Sequence, residues 1–212
     1  TPLYSSAASD VYKRQVQEKA FIPSTKSFAI AEEELGKMVY YNQDQNLLYI
    51  LAGGKFYKID LTKDEQTVLA KNLEEGQYTV SADGHLIAYQ TSGTINTAQE
   101  IKVLNLKTDE ENAVAAKSGE AIRPLGFIGS DFVYGYLRQE DVGHTAAGGE
   151  LFPMYELEIR NSENEVMKTY SADQIYISDV FIEENMMTLN RVVKSGETYT
   201  VTSQDYICLL YT

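Results

Sequence analysis

Four times along the chain a short apolar segment meets a polar turn and then a second segment rich in large apolar side chains. These stretches are Val39–Ile50, Tyr78–Tyr89, Leu125–Tyr134 and Asp179–Leu189. Two strand-length apolar runs joined by a few turn-forming residues predict a β-hairpin. A strict alternation follows three of them. Tyr57, Ile59 and Leu61 alternate with Lys58 and Asp60, Ile101 and Val103 flank Lys102, and Tyr155, Leu157 and Ile159 alternate with Glu156, Glu158 and Arg160. A period of two with one polar side predicts an antiparallel strand. In these three units a polar turn then leads to another short strand, within Thr62–Leu69, Lys107–Val114 and Asn161–Val166, whereas the last unit offers Tyr199–Thr202.

The second strands begin near Leu47, Leu86, Phe132 and Met186, at spacings of 39, 46 and 54 residues. Repeats of that length with four strands each are how the blades of a β-propeller read in sequence. The expected fold is therefore all-β, a β-propeller-like array of about four antiparallel blades over residues 37–73, 74–117, 118–173 and 174–207. A closed ring generally needs more than four blades, so an open arc or incomplete ring is expected. Residues 16–36 fit the repeat poorly and read as a partial blade or linker.

Ser81-Ala-Asp-Gly-His-Leu-Ile-Ala-Tyr89 resembles the Ser-Pro-Asp-Gly-x-x-Ile-Ala-Tyr/Phe hairpin of WD40-like propellers of the TolB and dipeptidyl-peptidase N-terminal type. Leu104-Asn-Leu-Lys-Thr-Asp-Glu110 resembles the strand and turn that follow it there. Ala82 departs from the usual Pro, the other three hairpins lack Asp-Gly, and the Trp-Asp dipeptide of WD40 repeats is missing because the chain has no Trp. The resemblance implies a bacterial, extracytoplasmic interaction or sensing module. The second reading is the accessory propeller of a truncated prolyl-oligopeptidase-like serine hydrolase.

The ends are unlike the middle. Residues 1–15 and 208–212 resemble translated sequencing-adapter read-through, which makes a non-native leader and tail the expectation and the repeat region a piece of a longer metagenomic reading frame. Setting both aside removes a segment of net +1 (Asp10 against Lys13 and Arg14) and one of zero, which takes the net charge from −13 to −14. The acidity thus belongs to the repeats, and it argues against a nucleic-acid partner, which would need clustered Lys and Arg. The single Cys, Cys208, excludes a disulfide framework and a multi-thiolate metal site. No apolar run approaches the roughly 18 residues of a membrane span, although an anchor upstream is compatible with this sequence.

Candidate chemistry is sparse. His85 adjoins a hairpin turn and reads as solvated, and His144 lies in the longest interior loop near Glu140, Asp141 and Glu150 without the further ligands of a metal site. A nucleophile elbow, a P-loop and a dinucleotide fingerprint are all missing, so no catalytic residue, cofactor or metal is assigned. The acid clusters Asp64-Glu65, Glu74-Glu75, Asp109-Glu110-Glu111 and Glu183-Glu184 read as solvated turn tips, and Met186-Met187 reads as core. One geometrical argument does localise a site. In a blade, the loops joining second to third strands open on the same face as the crossovers between blades. Here those loops lengthen from Ala52–Gly54 to Thr91–Gln99 to Gln139–Phe152, and insertions gathered on one face often mark the binding face. With Arg123-Pro124 assigned to a crossover, the candidate binding face carries Asn96, Arg123, Asp141, His144, Glu150 and Phe152. Its partner would be a protein or a small-molecule ligand.

Overall fold

A computed structural model of the chain describes residues 18–24, 27, 29–30 and 37–209. The leader at 1–15, much of 16–36 and the last three residues of the expected tail lie outside these residues. The first blade is a meander of β1 (Val39–Asn42), β2 (Leu47–Ala52), β3 (Lys55–Asp60) and β4 (Glu65–Ala70), each antiparallel to the next. The second repeats it with β5 (Tyr78–Val80), β6 (Leu86–Gln90), β7 (Glu100–Asn105) and β8 (Glu110–Ala115). In the third, β9 (Ala121–Ile128) and β10 (Asp131–Leu137) are followed by an insertion holding a 3₁₀ turn (Gln139–Asp141), β11 (Gly143–Thr145) and β12 (Glu150–Leu151). The blade then resumes with β13 (Met154–Arg160) and β14 (Val166–Ser171). The fourth blade has β15 (Ile175–Glu183) and the long β16 (Met186–Ser195). Its third position is shared by β17 (Thr198–Val201) and β18 (Asp205–Cys208), which pair with successive halves of β16. Cys208, placed by the sequence in the expected tail, ends β18 opposite Met186 and is exposed.

The cores lie between the blades, which is what makes the array propeller-like. One cluster joins Leu47, Tyr49, Leu51 and Phe56 of the first blade to Ile87, Tyr89 and Leu104 of the second. A second joins Ala88, Ile101 and Val114 to Ile122, Phe127, Phe132, Tyr134 and Tyr136 of the third. The last joins Val133, Met154, Leu157 and Ile159 to Ile177, Met187, Leu189 and Ile207 of the fourth. A middle blade therefore buries both of its faces. That explains why β10 (Asp-Phe-Val-Tyr-Gly-Tyr-Leu) is buried throughout, with Phe132, Tyr134 and Tyr136 facing one neighbour and Val133 and Leu137 the other. Among the described residues no core cluster joins the first blade to the fourth, so the described array is an open arc.

Local chemistry sets the turns. Gly53 and Gly54 take φ of 58° and 68°, the pair of left-handed residues that a two-residue hairpin requires. In the Ser81–Leu86 turn the Ser81 hydroxyl donates to Asp83 Oδ1 at 2.6 Å and accepts from the Leu86 amide at 3.0 Å, while Asp83 also accepts from the His85 amide. These bonds fix the turn without the Pro that Ala82 replaces. Arg123 and Pro124, expected in a crossover, instead lie inside β9. The pairing with β10 shifts register there, between Val133 and Tyr134, and a bulge on an inner edge strand tolerates a residue without an N–H.

A buried tyrosine recurs on the second strand of the first three blades. Tyr49, Tyr89 and Tyr134 are each fully buried, and each phenol donates to a carboxylate: Asp109 at 2.7 Å, Glu111 at 3.0 Å, and Glu158. A cation completes each set, Lys58 on Asp109, Lys102 on Glu111 at 2.6 Å and Arg160 on Glu158 at 3.4 Å. Burial first and the acid second push all three phenols well above their ordinary range. Asp109 and Glu111 are accordingly not the solvated turn tips that the sequence suggested. They cap buried tyrosines, and Asp109 does so across an inter-blade boundary. The Met pair also divides, with Met187 in the core and Met186 exposed.

Candidate functional site

Three elements bring the central residues of the candidate face together. Asn96 sits in the β6–β7 connection, whose backbone is wound on itself: Thr97 and Ala98 amides both donate to Thr94 O, and Thr97 Oγ1 accepts from the Thr94 amide at 2.9 Å. Arg123, on β9 opposite Gly135, directs Nη2 at Asn96 Oδ1 and at the backbone carbonyl of Phe152, the latter at 3.5 Å. Phe152 follows β12, at the far end of the third-blade insertion. Arg123 Nε is buried without an acceptor. Burial lowers the pKa of this guanidinium, and the charge of Asp179 on β15 works in the opposite direction.

Beside this cluster lies a small open cleft of about 140 Å³, lined by Asn96, Gln99, Glu120, Ala121, Arg138 and Phe152 among others. Its rim is electrically paired. Arg138 Nε donates to Glu120 at 3.1 Å, the Tyr155 hydroxyl donates to the same carboxylate at 2.6 Å, and the Arg138 guanidinium stacks 3.6 Å above the Tyr155 ring. Lys117 joins the group through Tyr155 and Glu156.

The remaining candidates are placed differently. Asp141 is buried, accepting from the Tyr176 hydroxyl at 2.9 Å, and its backbone carbonyl accepts from the Tyr199 hydroxyl at 2.6 Å. Lys194 donates to Glu140 O at 3.0 Å, and the His144 amide to Glu197 O at 2.8 Å. Through these bonds β11 pairs in parallel with β17, so the longest insertion is not a free loop but a strap from the third blade to the fourth. His144 and Glu150 face each other across the β11–β12 ladder and are exposed. The structure thus unites Asn96, Arg123 and Phe152, makes Asp141 an anchor, and leaves His144 and Glu150 on the strap's solvent side. Among the described residues, no group of three or more His, Cys, Asp or Glu side chains is placed to share a metal ion.

Gly143 is where the strap touches down. A Cβ there would lie 2.6 Å from the Glu197 carbonyl and 2.8 Å from the Tyr199 ring. Gly143→Val should lift β11 off β17 at a cost of about 1–3 kcal/mol. Hydrogen exchange should then show lost protection at His144 and its neighbours, while β5–β8 amides are unchanged. Unaltered protection along β11 would refute the strap.

Glu120, Arg138 and Tyr155, which the structure groups at the rim of this cleft, were not among the residues the sequence singled out. Their only signal was alternation, which puts Tyr155 on one side of β13 without saying what meets it.

No protein-family model and no curated protein matches the chain. Solved structures do. A chain of the mitotic checkpoint complex is similar at 10% identity over 90% of this chain and 88% of its own, with a TM-score of 0.24. A protein from Lactobacillus plantarum is similar at 10% identity over 79% of this chain and 54% of its own, with a TM-score of 0.33. TolB from Acinetobacter baumannii shows 14% identity over 76% and 52%, with a TM-score of 0.27. The likeness is one of fold. This chain spans about half the length of the Lactobacillus protein and of TolB. The blade assignment itself rests on the strand pairing and inter-blade cores. No helix among the described residues is long and apolar enough to cross a membrane.

Proposed function

We propose that the chain is a non-catalytic propeller module, working outside the cytoplasm, that binds a protein or small-molecule ligand on the face carrying Asn96, Arg123 and Phe152. One observation carries this reading. Connections from two blades converge on a single half-buried arginine beside an open cleft, whereas the hairpin turns of the opposite face are short and closed by their own hydrogen bonds. Function on such scaffolds lives in the long connections, which a rigid frame holds in place. The extracytoplasmic setting is supported by the Ser81–Tyr89 hairpin and its resemblance to TolB-type propellers.

The test is to screen peptides and small metabolites against the intact chain by thermal shift. Hits are then measured on a variant in which residues 139–152 are replaced by a short Gly/Ser turn. Binding should fall at least tenfold, a loss of about 1.4 kcal/mol. Unchanged affinity in a variant that still melts cooperatively would sink the proposal.

A further inference from the structure

We propose that the chain forms a two-fold symmetric dimer in which the far side of the fourth blade packs on the same side of a second copy. Alternate residues of β15, β16 and β18 divide between two sides of the sheet. Val180, Ile182, Met187, Leu189 and Ile207 point into the core shared with the third blade. Phe181, Met186 and Tyr206 lie on the other side, 56%, 42% and 57% exposed. Register makes them one patch: Phe181 pairs with Thr188 and Thr188 with Tyr206, while Met186 stands one row on, between Glu183 and Cys208. Large apolar side chains left in water across three adjacent strands mark an interaction surface, and Met and aromatic residues are enriched at the centres of such surfaces.

The opposite end of the arc differs. Tyr57 and Ile59 of the first blade stand apart from the core shared with the second, yet they are only 5% and 1% exposed. The large apolar side chains exposed in that blade are Val39 and Tyr41, both on its edge strand β1. Linear repeat arrays need closed ends to stay in solution. Here the first blade is closed over its centre and the fourth is open across its width, so the stacking that builds each joint continues at the fourth blade. A second copy meets it there with the same surface. Such a contact is isologous and stops at the dimer.

A two-fold axis running along β16 over Thr188 suits the residues. It lays Phe181 on Tyr206 of the second copy, lays Tyr206 on the other Phe181, and sets Met186 against its counterpart. Aromatic pairs of this kind contribute beyond the area they bury. Glu183 then faces Cys208 of the second copy rather than another Glu183. The remaining opposition is long-range, between two chains of net charge −13, and salt screens it.

Sedimentation equilibrium of the intact chain, from micromolar to submillimolar concentration, tests the dimer. A reversible monomer–dimer equilibrium is expected, and it should tighten as sodium chloride is raised. Phe181→Lys and Tyr206→Glu should each weaken dimerisation at least about tenfold. Tyr41→Ser, at the other end of the arc, should change nothing. The two weakened variants mixed together should dimerise more tightly than either alone. One contact then sets the introduced ammonium against the introduced carboxylate, and the other keeps the original aromatic pair. A monomer at every concentration overturns the proposal and points to a different occupant of the face. Mass that rises past the dimer, a dimer untouched by Phe181→Lys, or no gain on mixing overturns it as well. Should a variant fail to fold, iodoacetamide on the unaltered chain decides. Alkylation of the exposed Cys208 should slow several-fold as concentration rises into the dimer range, and a constant rate refutes the dimer.

Discussion

Above about pH 10 the arc is expected to lose stability steeply and unfold cooperatively, well before its buried tyrosines ionise in place. Tyr49, Tyr89 and Tyr134 are each fully buried, and each donates to a carboxylate. Burial and the neighbouring negative charge both disfavour a phenolate, so the three folded-state values lie far above the ordinary one. In the unfolded chain the same phenols titrate near 10. Below that pH both states hold the proton and stability is independent of these groups. Above it the unfolded chain releases protons that the folded chain keeps, so stability falls by about 1.4 kcal/mol per pH unit per group, or about 4 for the three. Lys102, whose pKa is raised mainly by its bond to Glu111, adds in the same direction. Against a total of roughly 5–15 kcal/mol, such a slope exhausts the fold within a few pH units. Ultraviolet titration of tyrosinate, followed beside the circular dichroism of the strands, should show Tyr49, Tyr89 and Tyr134 ionising only as that strand signal collapses. Tyr89→Phe should flatten the slope by about 1.4 kcal/mol per pH unit. Ionisation of all tyrosines with the strand signal preserved would show that these rings are not sealed.

The pattern of apolar positions carried most of the architecture because each hairpin is a local event. Alternation fixed β3, β7 and β13, and dense apolar runs marked β2, β6, β10 and β16. What it could not carry was long-range. The strap is one case: nothing in Gly-His-Thr says that β11 will pair in parallel with β17, since the bonding partners lie more than fifty residues on. The tyrosine caps are another. Asp109-Glu110-Glu111 has the composition of a solvated turn, and only the packing of the second blade on the first brings Asp109 to Tyr49 and Lys58. The candidate site shows both sides of this. The argument from loop lengths grouped residues that the structure does bring together, Asn96 and Phe152 through Arg123. Yet it put Arg123 in a crossover, because Pro124 reads as a strand breaker unless the bulge that accommodates it is known. It also treated Asp141 like His144 and Glu150, although the first is buried as an anchor and the others are exposed.

Phe56→Ala should be the most damaging single truncation in the first two blades, costing about 3–5 kcal/mol. Phe56, the second residue of β3, has no exposed surface and stands at the joint of the two blades. Its ring lies 6.3 Å from Tyr49, stacked, and 5.3 Å from Tyr89, edge-on, within the cluster that also holds Leu47, Leu51, Ile87 and Leu104. Such aromatic contacts contribute about 0.5–1.5 kcal/mol each beyond burial, and the cavity left behind has β-sheet on both sides and collapses poorly. The loss is also directional. In a linear array each repeat is stabilised by its neighbours, and the first described blade shares a core only with the second. Hydrogen exchange on the variant should therefore show β1–β4 losing protection first, while β13, β15 and β16 keep theirs around Met154, Ile177 and Leu189. Calorimetry should resolve a low-temperature transition for the first blade ahead of the rest. A single transition, with protection lowered evenly from β2 to β16, would instead mean that the three inter-blade cores form one cooperative unit and that the joint at Phe56 is no weaker than the blades it connects.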